Sequence, residues 1–275
     1  MNLAISNIAW PLDEEGRVAT ALHDLGVEFV EIAPTKVFDQ PTKTNSRERN
    51  DYRQFWADHG ISIVAFQSML FGRPDLQVFG DPAVRGETLH VLSRFIELAG
   101  ALGVGKLVFG SPKNRVVPPG MEIALADQLA VDFFTSLGEI AVDNGTCFCI
   151  EPNPIAYDCN FVTRAAAGIA LVEAVNHPGF GLHLDTAGMS MAGDDLAMSI
   201  LAGGSHLRHF HASAPFLGAL EEETVDHDAA ASALENIGYQ GFVSIEMRPG
   251  DSGMSTRRVR SAVELARRHY STLSA

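Results

Sequence analysis

Four apolar runs in the second half of the chain end directly in a side chain that can bind a metal ion. In chain order, these residues are Glu151, Asp185, His211 and Glu246. One carboxylate after an apolar run is often only a helix cap or a surface group, but four such ends in succession form a more specific pattern. Three carboxylates that meet in an apolar environment repel one another, so they need a cation or raised pKa values. Carboxylates with one imidazole suit Mn²⁺, the ion we expect here, as well as Mg²⁺ or Co²⁺, and Zn²⁺ is a further option.

A second set of residues could contact a substrate instead of a metal ion. They stand at or near the ends of apolar runs: Asn7, Trp10, Glu31, Gln67, Asn153, Tyr157, His183 and Arg248. Such side chains hydrogen-bond to hydroxyl groups or pack against a sugar face. Several of them allow a second interpretation. Glu31 and Gln67 could be merely polar strand ends, Trp10 could simply pack in the protein, and Arg248 could lie in solvent instead of binding an anionic group.

The elements that must position these residues alternate regularly along the chain. Short apolar runs predict strands at 3–9, 28–32, 61–66, 106–109, 147–150, 181–184, 207–210 and 242–245. Longer amphipathic stretches predict helices at 13–25, 46–59, 81–102, 121–144, 162–175, 194–202, 227–237 and 254–270. The pattern therefore contains eight strand–helix pairs.

Strands that alternate with helices form parallel sheets, and eight such units close most simply into a (β/α)₈ TIM barrel. A length of 275 residues fits one barrel domain over 1–275. A doubly wound sheet is the alternative, but its glycine-rich first turn is missing from the segment 6–11. Because barrel enzymes hold their active sites at the carboxyl ends of the strands, the four metal-capable residues should converge there.

Alternation along the strands predicts a second interior level beneath this site. If Asp185 and His211 point inward, so do His183 and His209, two positions earlier. Cys149 is then at the same level. Either histidine could support a metal ligand by hydrogen bonding, or could be an ordinary core histidine with its own partners.

The overall composition excludes several classes of partner. A formal net charge of −14 opposes binding to nucleic acid or to anionic lipid. No run approaches the ~18 apolar residues of a membrane span, and the first residues do not resemble a signal peptide. Three cysteines, two of them on one strand, predict reduced, buried thiols. We therefore expect a cytoplasmic protein.

Four segments resemble the sugar phosphate isomerase/epimerase family of the xylose isomerase-like barrels, which includes the ketose 3-epimerases. They are Glu-Pro-Asn-Pro at 151–154, His-Leu-Asp-Thr at 183–186, His-Phe-His at 209–211 and Ser-Ile-Glu-Met-Arg-Pro at 244–249. In the ketose 3-epimerases the residues that match Glu151, Asp185, His211 and Glu246 bind the metal. Those that match Glu151 and Glu246 also move the proton, and the resemblance implies the same roles here.

Two positions depart from the epimerase pattern. Those enzymes have a histidine where this chain has Gly188, and a substrate-binding arginine where it has Leu217. The metal site is therefore better supported than a ketohexose substrate. The substrate could instead be another sugar, a cyclitol or a sugar derivative.

The resulting hypothesis is a metal-dependent sugar isomerase or epimerase. It would move a proton next to a carbonyl through an enediolate, with Glu151 and Glu246 as acid and base. The main alternative is a dehydratase of a cyclitol or keto acid, such as inosose or dehydroshikimate. A metal-dependent hydrolase of the endonuclease IV type and a non-enzymatic sugar-binding protein are further alternatives. The expected partner is a small carbohydrate or cyclitol, and the chain could form a homodimer or homotetramer.

Overall fold

In the computed structural model, which describes residues 1–220 and 225–270, eight parallel strands form a closed barrel in chain order. The strands are β1 (Asn2–Ser6), β2 (Phe29–Ile32), β3 (Ser62–Phe66), β4 (Lys106–Phe109), β5 (Cys147–Ile150), β6 (Phe180–Asp185), β7 (Leu207–Ser213) and β8 (Phe242–Glu246). The barrel closes where β8 pairs with β1. The predicted TIM barrel is thus confirmed.

Helices follow the strands around the outside of the barrel. They are α1 (Glu15–Asp24), α2 (Pro34–Val37), α3 (Ser46–Asp58), α4 (Pro82–Leu102), α5 (Ile123–Asp143), α6 (Ala165–Val175), α7 (Thr186–Ala192), α8 (Leu196–Gly203), α9 (His227–Asn236) and α10 (Ser255–Tyr270). Aromatic side chains fill the layer between strands and helices, as where Phe134 of α5 packs 4.9 Å from Phe180. No helix within 1–220 and 225–270 combines the length and apolar character needed to cross a membrane.

Several element ends differ from the sequence-based boundaries. The first strand stops at Ser6, because residues 7–9 form a 3-10 turn. The sixth and seventh strands run on to Asp185 and Ser213, so Asp185 and His211 lie within the sheet. Helix α7 was not predicted, because its seven residues are too few for a helical period to show.

The barrel interior changes from apolar to polar along its axis. At the amino end, Ala4, Val64 and Ala65 pack with Phe29 and Phe242, whose rings are 4.9 Å apart. Further along, fully buried polar side chains replace them; they are Ser6, Glu31, His183, His209 and Ser244. The inward direction predicted for His183 and His209 agrees with this burial.

The three cysteines are free and buried, as predicted. The sulfur atoms of Cys147 and Cys149 lie 3.9 Å apart within β5. Cys159 lies in the loop that follows this strand. Their burial fits the interpretation of these thiols as packing residues.

Candidate metal centre and active site

The carboxyl ends of β5 to β8 bring the four metal-capable side chains together. Glu151, Asp185 and His211 each offer a ligand atom, and these three atoms lie within 4.8 Å of one another. Glu246 joins them through its Oε2, which lies 3.4 Å from Nδ1 of His211. The sheet register explains the meeting, because Asp185 pairs directly with His211 and Glu246 pairs with Ser213, two residues further along β7.

The electrostatics of this cluster favour bound positive charge. Burial, together with the charges of Glu246 and Asp185, raises the pKa of Glu151 to about 8. Burial and Glu246 likewise raise the pKa of Asp185 to about 6. Without a cation the cluster must therefore hold protons near neutral pH. A divalent cation would relieve the same repulsion.

Two features of the structure fit a single divalent cation at this place. Nδ1 of His211 is buried with no hydrogen-bond partner in the described chain, and it faces the carboxylates. Gly110, directly after β4, leaves the space that the Glu151 carboxylate occupies, because a Cβ atom there would lie 2.3 Å from Oε2 of Glu151. Three carboxylates and one imidazole form a suitable donor set.

The Asp185 carboxylate is held from two sides. The Ser213 hydroxyl donates to its Oδ2 at 2.5 Å, and the backbone N–H of Gly188 donates to its Oδ1. Asp185 is thereby the N-cap of α7. Sequence reasoning missed Ser213, although the alternation that placed His209 and His211 inward extends to it as well.

Glu31 and His183 do not lie where a substrate would reach them, so their predicted role as substrate contacts is not supported. Both are fully buried beneath the carboxylate cluster. Oε2 of Glu31 lies 2.9 Å from Nε2 of His211 and 3.3 Å from Nε2 of His209. The ring centroids of His183 and His211 lie 4.1 Å apart. For His183 the reason is strand alternation, because it stands two positions before Asp185 and so lies one level deeper in the barrel. Glu31 stands before the last residue of β2 and is engaged by the histidines of β7.

These contacts set opposite pKa shifts in the buried layer. Burial alone would raise the pKa of Glu31, but the His211 and His209 imidazoles hold it well below its usual value. Burial would lower the pKa of His211, but Glu31 and Glu246 raise it well above the ordinary value. The pKa of His183 falls well below the usual value because of burial and the neighbouring imidazoles.

Asn7 and Trp10 also lie elsewhere than predicted. Both are fully buried, with Oδ1 of Asn7 accepting from the N–H of Ala33 and the Trp10 ring 6.3 Å from that of Trp56. The 3-10 turn after β1 directs the chain outward, into the layer between barrel and helices. These two residues therefore belong to the packing around the barrel and not to a substrate pocket.

A cavity of about 720 Å³ opens above the metal-capable cluster. Of the predicted site residues, Gln67, Glu151, Asn153, Tyr157, Glu246 and Arg248 line it. Loop residues outside that set also contribute, namely Phe71, Arg73, Ser111, Lys113, Phe216 and Leu217, of which sequence reasoning had named only Leu217. The loops that carry them are irregular, so no periodic pattern marks them in the sequence.

Backbone strain concentrates around this cavity. Seven non-glycine residues of the described chain have positive φ, and four of them line the cavity: Ser68, Ser111, Phe216 and Leu217. Two hydrogen bonds hold the last pair, from the N–H of Phe216 to the Tyr157 hydroxyl at 3.1 Å and from the N–H of Arg248 to the Leu217 carbonyl at 2.9 Å. Strain maintained by such contacts is typical of functional sites.

The comparisons with known proteins agree with this architecture. The chain is 29% identical over 192 residues to a ketose 3-epimerase of Arthrobacter globiformis, a match covering 69% of this chain and 65% of that protein. It is 28% identical over 168 residues to an L-ribulose 3-epimerase of Methylomonas sp. (strain DH-1), covering 60% of this chain and 58% of that protein. The matches thus span less than two thirds of these relatives.

Solved structures and a family model extend the comparison over the whole fold. A D-psicose 3-epimerase from Clostridium cellulolyticum H10 superposes with a TM-score of 0.83, at 18% identity, covering 98% of this chain and 99% of that one. At that identity the likeness shows the fold alone. The model of the xylose isomerase-like TIM barrel family matches residues 19–269. With most of the barrel inside that match, the chain belongs to the xylose isomerase-like TIM barrel family.

Proposed function

We propose that this protein is a metal-dependent isomerase or epimerase of a polyhydroxy carbonyl compound, which moves a proton at a carbon next to the carbonyl. The observation that carries the proposal is the meeting of Glu151 and Glu246 with Asp185 and His211 at the mouth of the barrel. The two relatives, a ketose 3-epimerase and an L-ribulose 3-epimerase, belong to the same reaction class, which supports the proposal.

The two glutamates are suited to act as acid and base. They stand at the ends of β5 and β8, with β6 and β7 between them, so they approach a substrate from two sides. One carboxylate removes the proton to give an enediolate, and the other group returns a proton to the opposite face in an epimerisation. In an isomerisation the proton returns to the adjacent carbon. Burial and the charge of Glu246 raise the pKa of Glu151 to about 8, so Glu151 can transfer a proton near neutral pH.

A divalent cation held by Glu151, Asp185, His211 and Glu246 would supply Lewis-acid stabilisation of the negative charge that develops on the substrate oxygens. Asp185 and His211 would bind the cation without taking part in proton transfer, since neighbouring groups already hold both in place. Gln67 and Asn153, both nearly buried on the cavity wall, offer amide groups to substrate hydroxyls.

The outer part of the cavity differs from its acidic floor. Arg73, Lys113 and Arg248 line it together with the exposed aromatic rings of Phe71 and Phe216. A substrate screen should therefore contain free, phosphorylated and glycosylated ketoses as well as keto-inositols. The proposed reaction class is the same for every member of this panel, and the screen identifies which of them is the substrate.

The test is turnover of this panel in deuterated water. We expect deuterium to enter at the carbon next to the carbonyl, with no loss of water from the product. A product lighter than the substrate by one water molecule would show that the protein is a dehydratase and not an isomerase. No exchange with any member of the panel in the Mn²⁺-loaded protein would refute the proposal.

The role of Glu246 has a matched test in Glu246→Gln. The substitution keeps size but removes the carboxylate, so we expect turnover and exchange to fall by roughly 10²-fold or more, the usual size of a general acid–base contribution. Glu139→Gln, at an exposed position of α5, is the control and should behave as wild type. Near-normal turnover of Glu246→Gln with a native circular dichroism spectrum would remove Glu246 from the mechanism.

The proposal also covers the ion, the assembly and the location. We propose Mn²⁺ as the resident ion, because the donors are mainly carboxylates, and elemental analysis of the purified protein tests this against Mg²⁺, Co²⁺ and Zn²⁺. We further propose one catalytic domain over 1–275, a homodimer or homotetramer, and a cytoplasmic location. Light scattering measures the assembly, and fractionation of the cell measures the location.

A further inference from the structure

A buried layer of polar side chains lies directly beneath the metal-capable cluster. Its members are Glu31, His183 and His209, all fully buried, and it contacts the cluster through His211. We propose that Glu31 is a positioning residue, which fixes the tautomer and orientation of His211 so that Nδ1 is offered to the cation. This inference rests on the metal site of the proposed function.

The argument begins with the two nitrogens of His211. A histidine that binds a cation is neutral, and a neutral imidazole has one nitrogen that donates a hydrogen bond and one that accepts. An ionised carboxylate only accepts, so the 2.9 Å contact between Oε2 of Glu31 and Nε2 of His211 places the hydrogen on Nε2. The lone pair is then on Nδ1, on the side of Oε2 of Glu246, 3.4 Å away. The ring thus presents an acceptor toward the place where the carboxylates meet.

His209 completes the arrangement from the same strand. Its Nε2 lies 3.3 Å from the same oxygen of Glu31, so two imidazoles of β7 share one acceptor. Glu31 stands at the end of β2, across the barrel from β7, and its contacts therefore cross the interior. A carboxylate held in this way cannot turn away without losing both charge-assisted hydrogen bonds in a dry environment.

A second metal ion bound by His183, His209 and His211 is the competing explanation, since ligand atoms of these three lie within 4.8 Å of one another. Two contacts oppose it. Nε2 of His211 is already engaged by Glu31, and the ring of His183 meets that of His211 edge to face at 73°, with the centroids 4.1 Å apart. The inference thus requires one divalent ion for each chain.

The experiment measures Mn²⁺ binding directly, by titrating metal-stripped protein and following free Mn²⁺ by electron paramagnetic resonance. Loss of an outer hydrogen-bond partner of a histidine ligand typically weakens metal binding by roughly 10- to 100-fold, which we expect for Glu31→Ala. Glu31→Gln keeps an oxygen that can accept a hydrogen bond from Nε2 of His211, so its Mn²⁺ affinity should fall by less than about tenfold. Glu15→Gln removes a buried carboxylate beside Tyr52, away from the cluster, and serves as the control.

A second readout separates positioning from general damage to the fold. Nitrogen-15 spectra of the histidine rings in the metal-free protein, recorded above the raised pKa of His211 so that its ring is neutral, report the tautomer without any activity measurement. We expect His211 protonated at Nε2 in the wild type and in Glu31→Gln, and a mixture of tautomers in Glu31→Ala. Should Glu31→Ala fail to fold, Glu31→Asp takes its place, because its shorter side chain withdraws the acceptor but keeps the charge.

Three results would overturn the inference. The first is wild-type Mn²⁺ affinity and an unchanged His211 tautomer in Glu31→Ala. The second is two bound ions per chain in the wild type, one of which is lost in His183→Ala. The third is a wild-type His211 protonated at Nδ1. A wild type that binds no metal contradicts the proposed function instead, and the tautomer measurement then still decides the role of Glu31.

Discussion

Gly110 offers the sharpest test of the site, because a single methyl group there collides with a proposed ligand. A Cβ atom at this position would lie 2.3 Å from Oε2 of Glu151, 3.4 Å from its Cδ and 3.7 Å from Oδ1 of Asn153. Ordinary contacts begin at 3.4 Å, so the Glu151 oxygen must retreat by 1.1 Å, the difference between 3.4 Å and 2.3 Å. Gly110→Ala therefore shifts the carboxylate while leaving its chemistry intact.

The cost should appear in the site and not in the fold. Only the flexible end of the Glu151 side chain has to move, and φ of Gly110 lies outside the range where alanine is strained. A shift of about 1 Å in a positioned group costs on the order of 10²-fold in rate. We therefore expect turnover to fall by roughly that factor and Mn²⁺ binding to weaken by roughly tenfold or more. The free energy of unfolding of the metal-free protein should change by less than about 1 kcal/mol.

The assay compares Mn²⁺ titration, turnover and urea unfolding of Gly110→Ala with those of Gly105→Ala. Gly105 precedes the same strand, β4, at its other end, and no described atom would lie within 4 Å of its added Cβ. The control should match wild type in all three measurements. Wild-type metal affinity and turnover in Gly110→Ala would show that the Glu151 carboxylate does not act from its present position.

Two further predictions follow from the protonation of the cluster and from the packing of Trp10. With a pKa of about 8, Glu151 holds most of a proton at pH 7, so Mn²⁺ binding should release roughly one proton from Glu151 there, in addition to any from His211. The contribution of Glu151 should disappear above about pH 9, as calorimetry in buffers of different ionisation enthalpy would show. Because that pKa lies above the ordinary glutamate value of about 4.5, the folded metal-free protein binds the extra proton, and this group's stabilising contribution is lost as pH rises from about 4.5 to 8. A proton release that does not change with pH would contradict both statements. Trp10→Ala should cost about 3–5 kcal/mol in the free energy of unfolding but leave Mn²⁺ affinity unchanged. A raised KM with normal stability would instead indicate that Trp10 contacts the substrate.

Much of the fold was predictable because it depends on local periodicity. Apolar runs of four to seven residues, separated by amphipathic stretches, predict alternating strands and helices, and eight repeats predict closure of a parallel sheet. Closure brings the ends of neighbouring strands together whatever the loops contain. For this reason Glu151, Asp185, His211 and Glu246 could be identified as a group from their positions alone.

The rest depended on contacts that join distant parts of the chain. Nothing near Glu31 in the sequence shows that it reaches β7 across the barrel, and nothing near Gly110 shows that Glu151 needs its space. Trp10 stands next to a strand end like the residues of the site, but the turn after β1 sends it among the helices. The amino-acid sequence by itself determined which strands end in metal-capable side chains and which faces point inward, because both follow from nearest neighbours and a period of two. The level of each side chain in the barrel, its partner and the direction of each loop were decided only by tertiary structure, because strand stagger and long-range packing set them.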